Sequence, residues 1–184
     1  EDFREYSYKD NGPQKANTIG YGFNLDKPNA AGSLKSAGIE ASLEDLIAGN
    51  ARITKEQADN LMRIELPNFK KNAINWLGVT HWNNLAQNQK NALIDMSYNM
   101  GGNFTAAGNW PKLKQAIIEG DRFGISSEII GTDYASQVGD RAMENTFALM
   151  NPQFSSPQNE QGKRLGENTM GASYGDGTSN TYVI

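Results

Sequence analysis

The sequence predicts an α+β fold in which a small N-terminal sheet is followed by helices. Residues 3–25 alternate loosely between polar and apolar positions and contain two glycine-bearing turns, which is typical of short strands joined tightly. From residue 54 onward, apolar residues recur at helical spacing in successive segments. A chain of 184 residues suits one domain, in two lobes that share a cleft.

Composition and capping patterns define the elements of the first half. Residues 29–50 are rich in Ala, Gly and Ser with interspersed Leu and Ile, which predicts one or two short helices. Thr54 and Gln57 fit a capping box at the start of a long helix. Pro67 interrupts that helix. Because an interior proline removes a hydrogen bond and clashes with the preceding turn, we expect a kink or a break near Glu65 to Pro67.

The second half reads as further helices with recognisable ends. We predict four of them, over residues 85–100, 111–120, 121–131 and 138–150. Pro111 suits the first turn of its helix, and Asp121 can cap the next one. Residues 151–184 are rich in Asn, Gly, Ser and Gln, so we expect a polar tail or a linker there.

Two carboxylates and a hydroxyl surround the first predicted turn: Glu1, Asp10 and Thr18. Hydrolysis of a glycosidic bond needs such a set, because one carboxylic acid protonates the leaving oxygen while a second carboxylate activates water or stabilises the oxocarbenium-like transition state. The hydroxyl can hold the water. On spacing alone, solvated surface charges are the simpler interpretation. The competing acids nearby are Asp2, Glu5 and Asp26.

The longer string around these residues resembles the opening of the phage-type lysozymes. The pattern of that family is a Glu, then Tyr-Lys-Asp, then Thr-Ile-Gly-x-Gly. The matching stretches here are Glu1, Tyr8-Lys9-Asp10 and Thr18-Ile19-Gly20-Tyr21-Gly22. The resemblance continues to about residue 150. It implies a lysozyme-like fold with an N-terminal lobe over 1–52, an interlobe helix over 53–77 kinked near Pro67, and a helical lobe over 78–150.

The resemblance also implies an activity and residue roles. It implies a peptidoglycan muramidase, a glycoside hydrolase in which Glu1 is the general acid, Asp10 the base or stabilising carboxylate, and Thr18 the residue that holds water. The expected substrate-binding residues are Tyr98, Asn99, Gln137 and Arg141. The ring of Tyr98 can stack on a sugar, and Arg141 is expected close to Glu1. We expect no metal or cofactor.

Two departures from the family pattern stand out. The loop from Asp10 to Thr18 is two residues longer than in the best-known members, and hydroxyl placement is sensitive to such a change. Phe23 stands where many members have His, which removes a structural ion pair.

Composition excludes several other classes of protein. There is no cysteine, so thiolate nucleophiles and thiolate metal sites are absent, and the single His81 is too few for a zinc amidase or endopeptidase. A net charge of −4 argues against nucleic acid as a partner, because phosphate binding needs clustered Lys and Arg. The expected partner is a peptidoglycan glycan strand.

Charge and the N-terminal residue predict where the protein acts and how it reaches that place. No apolar run approaches the roughly 20 residues that span a bilayer. An acidic chain that begins with Glu1 rather than Met is expected to be a segment of a longer protein, carried to the cell wall by a virion or a secreted particle. The expected location is the phage virion or the host periplasm.

Two other functions stay open at this point. A lytic transglycosylase uses the sugar's own hydroxyl and can work with a single acid, and Asp10 and Thr18 argue against it. A non-catalytic wall-binding or structural virion module would keep the fold without activity. The Gly171-Ala-Ser-Tyr-Gly175 stretch matches the serine-hydrolase elbow, but no His follows it to act as a base.

Overall fold

A computed structural model describes residues 2–10 and 15–152 of the chain. Glu1, the turn at 11–14 and most of the predicted tail, residues 153–184, lie outside the described residues. The strands are β1 Arg4–Lys9, β2 Asn17–Gly20 and β3 Phe23–Asn24. The helices are α1 Ala30–Ser36, α2 Leu43–Ala48, α3 Lys55–Leu77, α4 Val79–Asn84, α5 Gln87–Met100, α6 Gly102–Thr105, α7 Pro111–Glu119, α8 Arg122–Ile129, α9 Asp133–Val138 and α10 Asp140–Met150.

The described chain divides into two compact units. The first comprises the described residues of Glu1–Val79 together with Leu93–Asn109, and the second those of Thr80–Ala92 and Trp110–Ile184. Neither unit is one continuous stretch of chain, because α5 begins in the second unit and ends in the first. The lobe boundaries expected from sequence, which placed all of 78–150 together, stay a prediction.

The predicted small sheet is present in the first unit. Its three strands are antiparallel in the order β1-β2-β3. Gly20 ends β2 with a φ of 68°, a conformation that side chains disfavour. A Cβ at this position would also lie 3.2 Å from the Cβ of Ala58 in α3, so the glycine permits close packing of the sheet on that helix.

Residues of the sheet, α1, α2 and α3 share one hydrophobic core. Its fully buried members with large side chains include Ile19, Leu25, Leu34, Leu46, Ile53 and Leu61. The region between β3 and α3 folds into two short helices, α1 and α2, as its composition predicts. The core therefore ties the strands to the face of the long helix.

Helix α3 begins as predicted and passes through Pro67. The Thr54 hydroxyl accepts a hydrogen bond from the Gln57 N–H, and the Gln57 side chain accepts from the Thr54 N–H, which completes the capping box. The helix continues from Lys55 to Leu77 with Pro67 inside it. The prediction of a break and restart at Pro67 is therefore wrong, because the turns on either side hold the helix across the missing donor. The kink stays a prediction.

Residues 93–109 return to the first unit and pack against the end of α3. The rings of Trp76 and Phe104 lie 4.6 Å apart, and the Trp76 indole N–H donates to the Asn109 carbonyl at 2.9 Å. Phe104 is fully buried. These contacts join segments more than twenty residues apart in the chain.

Helices dominate the second unit. Helix α7 has Pro111 in its first turn and ends at Gly120, and Asp121 caps α8 by accepting from the Gly124 N–H at 3.0 Å, as predicted. The predicted last helix over 138–150 instead begins at Asp140. Gly139, with a φ of 56°, separates it from α9, a short helix that was not predicted.

Within residues 2–10 and 15–152, no helix has the length and apolar character that crossing a membrane requires.

Candidate active site

The end of the β1–β2 hairpin carries two of the predicted catalytic residues. Tyr8 faces Thr18 and Lys9 faces Asn17 in the antiparallel register. The same register continues to Asp10, whose N–H donates to the Ala16 carbonyl at 3.0 Å while its Oδ1 accepts from the Ala16 N–H, also at 3.0 Å. Main-chain and side-chain hydrogen bonds thus fix both the strand end and the direction of the Asp10 carboxylate.

Asp10 and Thr18 belong to the same face of the hairpin. Side chains alternate between faces along a strand, so Tyr8 and Asp10 share one face. Thr18 pairs directly with Tyr8 and therefore points to that face too. Asp10 and Thr18 are diagonal neighbours, and such positions lie about 7–8 Å apart at their Cα atoms. A water or a substrate oxygen fits between side chains at that separation.

The Thr18 hydroxyl already has one defined hydrogen bond. It donates to the Tyr8 carbonyl at 3.2 Å, and the residue is only 3% exposed. A hydroxyl whose proton is donated still carries lone pairs that accept hydrogen bonds. The Thr18 oxygen can therefore orient a water molecule by accepting a hydrogen bond from it.

Asp26, in the turn after β3, contacts the first residue of β2. Its Oδ2 accepts from the Asn17 N–H and its Oδ1 from the Asn17 side-chain amide, each at 2.8 Å. These hydrogen bonds, side chain first, hold the pKa of Asp26 below its ordinary value, and the charge of Lys9 contributes in the same direction. Asp26 is thus bound to Asn17, the neighbour of Thr18 in β2.

An ion pair lies beside Phe23, the residue that replaces the family's His. The Lys27 ammonium is 4.1 Å from the centre of the Phe23 ring and 2.5 Å from Oε2 of Glu65. The Ser33 hydroxyl donates to the other oxygen, Oε1, at 2.8 Å. Glu65 is 8% exposed. The loss of His at position 23 therefore does not leave this region without an ion pair.

Tyr98 and Asn99 end α5 in the first unit. The Tyr98 ring packs edge to face on Phe69 with the ring centres 5.1 Å apart. The Asn99 amide donates to the main-chain carbonyl of Asp95 at 2.9 Å and to its carboxylate at 3.2 Å. Both residues are half-buried, so part of each side chain faces solvent.

Gln137 and Arg141 belong to the second unit. Gln137 is exposed on α9, and Arg141 is half-buried in the first turn of α10. Nearby, the buried Tyr134 hydroxyl accepts from the Asn145 amide at 2.8 Å and ties α9 to α10. The short helix α9 is thereby fixed relative to α10.

Glu1, the predicted general acid, lies outside the described residues. The competing acids behave as surface groups: Asp2 is exposed, and Glu5 is exposed with Arg52 at 3.4 Å. Among the described residues, no group of three His, Cys, Asp or Glu side chains could hold a metal ion.

A family comparison completes this description. A model of the family described as "Phage lysozyme" matches residues 1–141. The chain belongs to the phage lysozyme family. No curated protein matches it. The recognition from sequence is thus confirmed, as is the lysozyme-like α+β fold, and membership in the phage lysozymes supports a peptidoglycan hydrolase that acts on the cell wall.

The sequence did not predict the partners that hold this phage lysozyme site in place. Asp26 was noted only as a competing acid, and its pairing with Asn17 depends on β3 and on the turn that follows it. The Lys27–Glu65 pair joins residues 38 positions apart in the chain. Their charges were visible in the sequence, but no local pattern indicates which of them meet.

Proposed function

We propose that this phage lysozyme is a muramidase, which hydrolyses the β-1,4 bond between N-acetylmuramic acid and N-acetylglucosamine in peptidoglycan. The observation that carries the proposal is the placement of Asp10 and Thr18 on one face at the end of the β1–β2 hairpin. These are the positions at which the family motif has its second carboxylate and its hydroxyl, and Glu1 stands at the position of its acid.

In this mechanism Glu1 protonates the leaving glycosidic oxygen. Asp10 either removes a proton from the attacking water or stabilises the positive charge that develops on the sugar ring. The Ala16 N–H on Oδ1 supports either role, because it prevents rotation of the carboxylate. The Thr18 hydroxyl oxygen accepts a hydrogen bond from the water and orients the water's lone pair toward the anomeric carbon.

Substrate binding is assigned to Tyr98, Asn99, Gln137 and Arg141. The Tyr98 ring, held by Phe69, stacks on a sugar face. The Asn99 amide nitrogen donates to Asp95, so its amide oxygen accepts from the N–H of an acetamido group. Gln137 and Arg141 bind the glycan by hydrogen bonds. We further propose that the chain acts as a module of a virion or secreted particle, in the virion or the host periplasm, since its net charge of −4 disfavours unaided approach to an anionic wall.

The decisive experiment is mass analysis of the soluble fragments released from purified peptidoglycan. A muramidase adds one water and leaves a reducing N-acetylmuramic acid end. Anhydro ends would show a lytic transglycosylase instead, and no release at all would indicate a non-catalytic module.

Asp10→Asn tests the role of the second carboxylate. The amide oxygen still accepts from Ala16, so the hairpin is preserved, but the charge and the basicity are lost. We expect fragment release to fall about a hundredfold to ten-thousandfold. The matched control is Asp45→Asn, an exposed acid at the start of α2 in the same unit, which should release fragments at the wild-type rate. An Asp10→Asn variant with near wild-type activity would refute this assignment.

A further inference from the structure

The strand that carries Thr18 is held at its first residue by Asp26, and we call this contact the clamp. Both oxygens of this carboxylate accept from one residue, Asn17, at 2.8 Å each. The clamp is itself fixed, because the Asp26 N–H donates to Oδ1 of Asn24 at 2.7 Å. The Leu25 N–H in addition donates to the Asn17 carbonyl at 2.7 Å. Asn17 is therefore held through its N–H, its carbonyl and its side chain.

Asn17 lies between the two residues that set the site. Ala16, on one side, donates to the Asp10 carboxylate, and Thr18, on the other, pairs with Tyr8. Both neighbours share peptide planes with Asn17, and a peptide plane is rigid. A displacement of Asn17 thus moves the Asp10 carboxylate and the Thr18 hydroxyl together.

The clamp operates at the surface, where neutral hydrogen bonds compete poorly with water. A carboxylate acceptor gives shorter and stronger bonds than a neutral one. The Asn17 bonds and the Lys9 charge lower the pKa of Asp26, so the carboxylate is ionised at neutral pH. It acts on the site through Asn17, the residue that both of its oxygens contact.

We propose that Asp26 is a positioning residue for the reaction, which acts through Asn17 to hold Asp10 and Thr18 at their catalytic separation. The inference rests on the proposed function. It also accounts for the tolerance of a hairpin loop two residues longer than in the best-known phage lysozymes, because the clamp fixes the strand just after that loop.

The test compares steady-state kinetics on soluble peptidoglycan fragments for wild type and Asp26→Ala. We expect kcat to fall about tenfold to a hundredfold, the size of effect produced by misplacing catalytic groups by about 1 Å. KM should change little, because no substrate contact is removed. Asp26→Asn should restore most of kcat, since its amide can accept from the Asn17 N–H and donate to a reoriented Asn17 side chain.

Asp45→Ala is the matched structural control. Asp45 is an exposed carboxylate in the same unit, and it accepts from the Ser42 hydroxyl at 2.8 Å away from the hairpin end. Its loss should have little effect on the melting temperature and none on kcat. If Asp26→Ala does not fold, Asn17→Ala removes only the side-chain half of the clamp and should lower kcat by a smaller factor.

Hydrogen exchange separates failure of this inference from failure of the proposed function. The Ala16 amide should exchange faster in Asp26→Ala than in wild type, Asp26→Asn or Asp45→Ala. If the wild type releases no fragments, the muramidase proposal fails, and the Ala16 exchange rate alone decides whether Asp26 holds the hairpin. Unchanged Ala16 exchange, unchanged kcat in an active enzyme, or an equal loss of kcat in Asp45→Ala would overturn the positioning role.

Discussion

Asp26 and Glu65 are carboxylates of the same unit held in opposite surroundings. Asp26 is exposed and accepts two hydrogen bonds from Asn17, whereas Glu65 is 8% exposed and meets Lys27 and Ser33. Water can replace the partners of an exposed group, so breaking its contacts costs little stability. A buried charge has no such replacement. Substitution at position 26 should therefore change the reaction rate, and substitution at position 65 should change the stability.

The largest effect on stability is expected for Glu65→Gln. The amide keeps a partner for the Ser33 hydroxyl but leaves the Lys27 ammonium without its counter-charge. Breaking a buried pair costs 3–5 kcal/mol, and we expect a loss of about 3 kcal/mol because the Lys27 side chain is 27% exposed. Urea denaturation measures this loss in the free energy of unfolding.

Two further variants sharpen that result. Glu5→Gln, which breaks the exposed pair with Arg52, should cost less than about 1 kcal/mol. Adding Lys27→Met to Glu65→Gln should recover most of the loss, since it removes the uncompensated charge. A loss in Glu65→Gln no larger than that in Glu5→Gln would remove the distinction between the two environments.

The variant Pro67→Ala tests how much the proline lowers the stability of α3, the helix that carries Glu65. Pro67 is exposed and lies inside α3, so Pro67→Ala restores an N–H donor toward the Arg63 carbonyl. An interior proline costs about 3 kcal/mol, partly offset by its restriction of the unfolded chain. We expect the free energy of unfolding to rise by about 2 kcal/mol. A decrease would show that α3 requires the proline, for instance to set a bend.

The smallest effect is the pH dependence of the Asp26 clamp. Because the pKa of Asp26 is lower in the folded chain than its ordinary value of 3.8, the clamp stabilises the fold above pH 3.8, and this contribution is lost as the pH falls through the lower folded pKa. The difference in unfolding free energy between wild type and Asp26→Asn should be constant near neutral pH and shrink in acid. Lys9→Met should keep most of this dependence, because the Asn17 bonds are the larger cause. A difference that grows on acidification would contradict the assignment.

Local patterns predicted much of the fold. The capping box at Thr54 and the cap at Asp121 depend on residues within one turn of each other, so the sequence contains the whole interaction. The break at Pro67 was wrong because propensity was weighed without the turns of α3 on either side, which hold the helix across the missing donor. The predicted last helix began one residue before Gly139, the residue that separates α9 from α10. The helical spacing of apolar residues continues across Gly139, so it did not indicate this boundary.

The candidate site was predicted only in part, because some of its contacts join residues that are distant in the chain. Asp10 and Thr18 stand in a recognisable motif, and a hairpin brings such residues together. The partners of Asn17 and Glu65 come from loops and helices whose relative placement depends on the whole core. The sequence shows that Asp26 and Lys27 are charged. It does not show that Asp26 binds Asn17 whereas Lys27 pairs with Glu65.

The path of the chain through α5 has a consequence for biosynthesis. The first unit is completed only by residues 93–109, which supply Phe104 for Trp76 and the carbonyl of Asn109 for its indole. As the chain leaves the ribosome, the sheet, α1 and α3 therefore emerge well before the segment that closes their unit. The Trp76 ring of the nascent chain therefore stays exposed for that interval, and exposed apolar surface of this kind favours aggregation and chaperone binding.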